Sequence, residues 1–309
     1  MPDIPEGLWP VMLTPFRDDG SLDWEGVDKL VDWYIAAGAA GLFAVALSGE
    51  MYELEPWERL ALAERVVRRA DGRVPVVASG TFAGEPQEQA RFVSSMGSTG
   101  VAAVVVLTCQ VAAEPESDDT WRANVQRLLD RSGDVPLGLY ECPVPYKRLL
   151  SPELLRWCAD SGRFFFLKDT SCHVADLQAK LAAVRGTGLR LFNASTPTLL
   201  ASLQAGAAGF SGIGANFHPA LYAWLCANWR AQPERAMHLQ RFLSIADRVV
   251  GHKYQASAKR FAAMQGVSIA PYCRVGNPEF DDEDLFTLQH LLEYERETFP
   301  DELGPAAEA

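Results

Sequence analysis

A lysine that closes an apolar run is a candidate nucleophile. Of the six lysines in this chain, only Lys168 ends a strand-like hydrophobic stretch, Phe164-Phe165-Phe166-Leu167. Burial disfavours the charged ammonium, so such a lysine titrates low. A neutral amine at physiological pH adds to a carbonyl and forms a Schiff base. The competing reading is a strand-end lysine whose stem lies on apolar surface while its head reaches solvent. Schiff-base chemistry also needs a proton shuttle and donors for a substrate carboxylate. Tyr140 ends another short apolar run and is the candidate shuttle, since a phenol passes protons to and from a carbinolamine. Against it stands the reading of a strand-end aromatic with its hydroxyl in water. Ser48 and the backbone amides around Gly49 are the candidate carboxylate holders, because glycine lets the backbone approach closely. Ser-Gly-Glu alone reads equally as a turn, and Glu50 is given a bracing role rather than proton transfer.

These residues must be positioned by the elements that carry them. Eight short apolar runs alternate with amphipathic stretches: 8–13, 41–46, 74–79, 101–107, 137–140, 164–168, 189–193 and 208–212. Near-continuous hydrophobic runs, rather than alternating ones, predict strands buried on both faces of a parallel sheet. Helix ends between them are legible. Asp23 is placed to cap the first helix and Gly38 to stop it, while Ser151-Pro152 and Thr196-Pro197 each put a capping hydroxyl before a first-turn proline. Eight strand–helix units within about 230 residues predict an α/β fold of the (β/α)8 TIM-barrel type. Beyond residue 230 the pattern is helical, roughly 233–250, 253–265 and 281–297, so the expected division is a catalytic barrel over 1–230 and a packed helical extension over 231–309. The last residues, 304–309, are expected to fray.

In such a barrel the site is built where the strands end. The second strand ends at Leu47-Ser48-Gly49-Glu50, the fifth at Tyr140, the sixth at Lys168 and the eighth at Ser211-Gly212. Leu47, Ser48, Gly49, Ser211 and Gly212 therefore form the expected substrate-binding set around Lys168 and Tyr140. Asn193, ending the seventh strand, either bonds substrate or satisfies loop backbone, and His173, just after Lys168, either touches substrate or lies at the surface. Cys142 lacks an evident base partner and reads as a small pocket or core residue. Trp33, Trp57 and Trp224 fall in helical stretches as core or subunit-contact residues. Gly212-x-Gly214 is not a dinucleotide fingerprint, because a third glycine is missing and the stretch follows the last strand.

The chain has 309 residues and a net charge of −12, which argues against nucleic-acid or anionic-membrane partners. No stretch approaches the roughly 18–20 apolar residues of a membrane span, and the first twenty residues do not read as a signal peptide. Six cysteines without a C-x-x-C pair and five histidines without ligand spacing indicate neither a metal site nor a disulfide framework. The expectation is a cytoplasmic enzyme with no metal and no cofactor, acting on a small molecule.

Ser48-Gly49-Glu50, Tyr140-x-x-Pro143 and Lys168-Asp169-Thr170 occur in the order and spacing of the dihydrodipicolinate synthase/N-acetylneuraminate lyase family, which the chain resembles over roughly 7–275. The segments Gly7-Leu8-Trp9-Pro10 to Thr14-Pro15-Phe16, Gly80-Thr81, Gly212-x-Gly214-Ala215-Asn216 and Lys259 are similar as well. The resemblance implies a homo-oligomer, tetramer or dimer, acting on pyruvate or another 2-oxo acid. It also implies Lys168 as Schiff-base residue, Tyr140 as shuttle and Ser48 as carboxylate binder. Four departures bear on the substrate. Leu47 replaces the first of two usual hydroxyl residues and cannot relay a proton. Cys109-Gln110-Val111-Ala112 stands where lysine-pathway synthases carry a tyrosine pair. Pro145 stands where they carry an arginine, with Lys147 and Arg148 as nearby substitutes, and Phe166 replaces a commonly small residue. These departures disfavour a true dihydrodipicolinate synthase. What remains is aldol condensation or cleavage of another 2-oxo acid, or dehydration of a 2-oxo-3-deoxy sugar acid through the same imine. A reading of another class, a non-catalytic barrel that binds small acids, is motivated by Leu47 and the missing tyrosines.

Overall fold

Short strands flanked by buried faces on both sides curl into one closed parallel sheet. The computed structural model describes residues 2–303. Its strands are β1 Gly7–Leu8, β2 Leu42–Ala44, β3 Val76–Ser79, β4 Ala103–Leu107, β5 Leu137–Tyr140, β6 Phe164–Asp169, β7 Arg190–Asn193 and β8 Gly209–Phe210. They pair in the order β1-β8-β7-β6-β5-β4-β3-β2. A parallel bridge between Val11 and Phe43 closes the ring. The Met12 N–H donates to Phe43 O and the Phe43 N–H to Pro10 O, each at 2.9 Å.

The apolar runs thus mark all eight strands, and several strands are shorter than expected, the first, second and last most of all. Regular pairing of the first stops at Leu8, because Pro10 has no N–H to give the ladder. The last is held to Gly209–Phe210, where a Cβ on Gly209 would lie 1.8 Å from the Gly7 carbonyl oxygen. That contact requires glycine.

Helices α1 Trp24–Ala36, α2 Pro56–Ala70, α3 Pro86–Gly97, α4 Asp118–Arg131, α5 Pro152–Asp160, α6 Val174–Ala183, α7 Leu199–Gln204 and α8 Pro219–Asn228 cover the sheet. Asp23 accepts from the Gly26 N–H at 3.1 Å and Ser151 from the Leu154 N–H at 3.2 Å, so both caps form as read. Gly38 follows α1 with φ 90°. The cap placed at Thr196 does not form. Its hydroxyl bonds the Tyr222 hydroxyl at 2.8 Å, and Pro197 opens a 3-10 turn before α7. A buried phenol without a partner is costly, and that need outbids a local cap.

The barrel interior is aromatic. Phe166 stacks on Phe192 with centroids 4.8 Å apart, Trp9 lies 5.3 Å from Phe166, and Phe43 meets Phe166 edge-on at 5.8 Å. After α8 the chain continues as α9 Pro233–Val250, α10 Ala256–Met264, α11 Asp282–Thr298 and α12 Pro300–Leu303. Val250, Ala258 and Phe261 join the cluster that holds the barrel side chains, while Ala236, Leu239, Leu243 and Phe299 form a second cluster with Leu8, Phe210 and Tyr222. Glu295 of α11 reaches back to His218 at 2.5 Å in a fully buried contact. Trp57, expected as core or contact, is 63% exposed and so is not core. The expected fraying of 304–309 lies outside the described residues.

Candidate active site

Alternation along β6 points Phe166 and Lys168 into the barrel and Leu167 and Asp169 toward the helices. Lys168 pairs in register with Tyr140 on β5 and with Phe192 on β7. Lys168 is 3% exposed, and its amine lies 4.9 Å from the centre of the Tyr140 ring. Desolvation pushes its pKa down to about 7, opposed only by Cys142, and among the described residues no carboxylate stands beside it. A strand-end lysine with its head in solvent is not what the fold builds. Tyr140 is 4% exposed, rests edge-on against Phe43 at 5.8 Å, and burial raises its phenol well above the ordinary value. It keeps its proton at neutral pH, and its ring lies beside the amine.

The outer face of the same two strands carries charge. Lys180 of α6 donates to Glu141 at 2.5 Å and to Asp169 at 2.6 Å, all three buried. Glu141 also accepts from the Leu150 N–H at 2.8 Å and the Thr170 N–H at 3.2 Å. The cluster pins the ends of β5 and β6 together immediately behind Tyr140 and Lys168.

Ser48 lies buried in a 3-10 turn, Leu47–Gly49, that follows β2. Gly49 departs from the sequence reading: its N–H is committed to Ala46 O at 2.9 Å and is not free for a carboxylate. Glycine is required there for another reason, since a Cβ would meet Met12 O and Thr14 Oγ1 at 2.8 Å. Glu50 ends the turn with φ 57° and braces it, as expected. It accepts from Lys259 Nζ at 2.7 Å and from the Arg274 and Val275 amides at 2.6 and 3.0 Å. Ser211 follows β8 with its hydroxyl buried and, among the described residues, without a hydrogen-bond partner. Gly212 follows, and a Cβ there would lie 2.4 Å from Ala194 O.

Several residues take the plainer of their two readings. Asn193 braces its loop, donating to Thr198 and Ser202 at 3.0 Å and accepting from the Ser195 N–H at 2.8 Å. His173 precedes α6 at the surface. Lys147 is exposed, and Arg148 is committed to Glu116 O at 2.8 Å and to Asp118 at 3.1 Å, so neither replaces the missing arginine at Pro145.

Cys142 is a buried pocket or core residue, as read from the sequence, but its partners and the neighbouring Tyr52 were not foreseen. Those partners are Cys109 first, then the Val144 backbone, Tyr52 and Tyr140, which together pull its thiol down to about 7. Tyr52 donates to Val144 O at 2.7 Å and accepts from Gln110 at 3.2 Å, while its hydroxyl lies 4.0 Å from Cys142 Sγ. Its position two after Glu50, in a turn that must return to the barrel mouth, was the available signal. A cavity of about 630 Å3 opens there, lined by Leu47, Tyr52, Arg59, Phe82, Gln110 and Val275 among others, above the strand ends of β2 to β5. A cavity of equal volume lies at the opposite rim, by Leu189, Arg190 and Ala208, far from the amine's end of the strands.

The dihydrodipicolinate synthetase family model matches residues 4–294. The chain belongs to that family. Members of the dihydrodipicolinate synthetase family are lyases of the aldolase type, and so is this enzyme. It is 26% identical to the 4-hydroxy-tetrahydrodipicolinate synthase of Gluconacetobacter diazotrophicus over 291 residues, 93% of this chain and 96% of the relative. Over 232 residues, 72% of this chain and 74% of the relative, it is 30% identical to YagE of Escherichia coli, provisionally named a 2-dehydro-3-deoxy-D-gluconate aldolase. The fold matches the crystal structure of YagE in complex with pyruvate, with a TM-score of 0.85 at 24% identity, covering 94% of this chain and 98% of that one. It matches a dihydrodipicolinate synthase from Bacillus anthracis equally, TM-score 0.85 at 20% identity, covering 95% and 99%. No helix among the described residues is long and apolar enough to cross a membrane.

Proposed function

We propose that this lyase joins or splits carbon–carbon bonds of 2-oxo acids through an imine on Lys168, with pyruvate as the three-carbon unit. One observation carries the reading: a fully buried amine with no carboxylate partner, held at a strand end beside a protonated phenol. The neutral amine adds to the keto carbon, and Tyr140 supplies and recovers the proton as water leaves. The imine then acts as the electron sink for making or breaking the bond beyond the keto carbon. Ser48 and the unpartnered Ser211 hydroxyl are the donors proposed for the substrate carboxylate, with Leu47 and Gly212 shaping its surroundings. Dehydration of a 2-oxo-3-deoxy sugar acid would use the same imine, and product analysis separates it from aldol chemistry.

Borohydride reduction in the presence of pyruvate, followed by peptide mass spectrometry, tests the reading. A reduced adduct on Lys168 is expected. If no 2-oxo acid gives an adduct, the imine is wrong and an acid-binding barrel takes its place. We further propose residues 1–230 as the catalytic barrel and 231–309 as a helical region that completes it, supported by the buried Glu50–Lys259 pair between them. A homo-oligomer is proposed as well, with the exposed Trp57, Ile245 and Phe286 as available contact surface, and sedimentation checks it.

A further inference from the structure

Two thiols meet where β4 and β5 end. The last register pair of those strands is Leu107 with Tyr140, and Cys109 and Cys142 each stand two residues beyond it. Both sulfurs lie against one acceptor, Val144 O, at 3.1 Å from Cys109 and 3.3 Å from Cys142. The two side chains also bond each other. That contact is the largest cause that holds the Cys142 thiol down at about 7 and pushes the Cys109 thiol well up. At neutral pH Cys142 is therefore a thiolate in a large share of molecules, beside a protonated Cys109. The remaining cysteines differ: burial pushes Cys158, Cys226 and Cys273 up, and Cys172 is exposed. Tyr52, Gln110 and Val144 line the cavity over the strand ends, and two of them touch the sulfurs, so the pair lies one layer behind its wall. A thiolate in contact with a resolving thiol is the arrangement that oxidises reversibly.

We propose that Cys109 and Cys142 form a reversible disulfide site, oxidised by hydrogen peroxide, whose state is read by Lys168. The Cys142 thiolate attacks a peroxide oxygen: a sulfur–oxygen bond forms, the oxygen–oxygen bond breaks, and the departing hydroxide takes up a proton as water. The hydrogen bond that kept Cys109 protonated goes with the thiolate. The Cys109 sulfur then attacks the Cys142 sulfur, the sulfur–sulfur bond forms as the sulfur–oxygen bond breaks, and the second hydroxide leaves as water with the Cys109 proton. Two electrons have passed from the sulfurs to the peroxide. A dithiol reductant returns both thiols by exchange. Cys142 is the one group that opposes the desolvation of Lys168, and in the disulfide it carries no charge. The amine then gives up its proton more readily. The other titratable neighbours of Cys142 are Cys109, Tyr52 and Tyr140, and both phenols keep their protons at neutral pH. Reading the effect by imine formation rests on the proposed imine, whereas the disulfide itself does not.

The test treats the full chain carrying Cys172→Ser, which removes the exposed thiol, with hydrogen peroxide and maps it by mass spectrometry of unreduced peptides. A Cys109–Cys142 cross-linked pair, lighter by two hydrogens and released by dithiothreitol, is expected. Oxygen added at Cys142 without the cross-link overturns the site, and so does an unchanged pair at a dose that oxidises the exposed Met237. Cys109→Ser keeps a hydroxyl donor at that place but no sulfur, so Cys142 should run on to sulfinic acid, which dithiothreitol does not reverse. Full recovery of that variant by dithiothreitol overturns the pairing. In the cross-linked enzyme the pH midpoint of pyruvate imine formation should fall by about 1 unit against the reduced enzyme. An unchanged midpoint overturns the link to Lys168 and leaves the disulfide standing. If pyruvate gives no adduct the imine reading fails, and the peptide map alone decides the site. Should Cys109→Ser not fold, the cross-link and its reversal in the Cys172→Ser chain decide.

Discussion

Lys168 and Lys180 are both buried, lie close in sequence and belong to opposite faces of the same pair of strand ends, yet burial does opposite things to them. On the inner face Lys168 meets rings and a thiol, and its pKa falls to about 7. On the outer face Lys180 meets Glu141 and Asp169 at 2.5 and 2.6 Å, and its pKa is raised even though desolvation works against it. A third buried lysine, Lys259, has Glu50 at 2.7 Å. Low polarity alone does not make a nucleophile; low polarity without a carboxylate does. The residues paired with Lys168 matter for that reason, because Tyr140 and Phe192 flank it on the neighbouring strands and neither carries a negative charge at neutral pH.

The contrast can be broken in order of expected effect. Lys168→Ala should abolish the pyruvate adduct and cut turnover by at least about 10⁴-fold. Circular dichroism should be unchanged, because no ion pair is lost; residual turnover near wild type would move the chemistry elsewhere. Tyr140→Phe should lower kcat by about 10²–10⁴-fold with the fold intact, measured in single-turnover imine formation. Lys180→Met leaves two buried carboxylates unpaired and should cost about 3–5 kcal/mol in urea unfolding. The pH midpoint of imine formation should stay where it is in that variant, and a large shift would mean the two faces are coupled. Cys142→Asp should make Lys168 resemble Lys180. In the wild type imine formation is expected to rise with pH through about 7 as the amine loses its proton. The new carboxylate favours the ammonium, so the midpoint should climb by about 1–3 units.

Much of this was legible in the sequence, and the reasons differ from place to place. The barrel could be read because each strand is an uninterrupted apolar run bounded by caps that are local, such as Asp23 and Ser151. Lys168 and Tyr140 could be placed because strand ends are the only positions where such a lysine borders a mouth rather than a core. What escaped depends on residues far apart in the chain. Cys109 and Cys142 meet only because β4 and β5 pair, and Thr196 abandons its cap for a phenol 26 residues on. The outer triad did leave a signal. If Lys168 and Tyr140 face inward, the next residues, Asp169 and Glu141, must face the helices, and two buried carboxylates demand a cation there.

Glu50 carries a consequence for how the enzyme is made. The turn that holds Ser48 is tied down by Lys259, Arg274 and Val275, residues that follow all eight strands in the chain. An emerging chain can complete all eight staves and still have a slack, uncompensated loop at the mouth. The rim is therefore complete only once the segments that follow the barrel have docked, and a chain cut before them would be a barrel with a loose mouth.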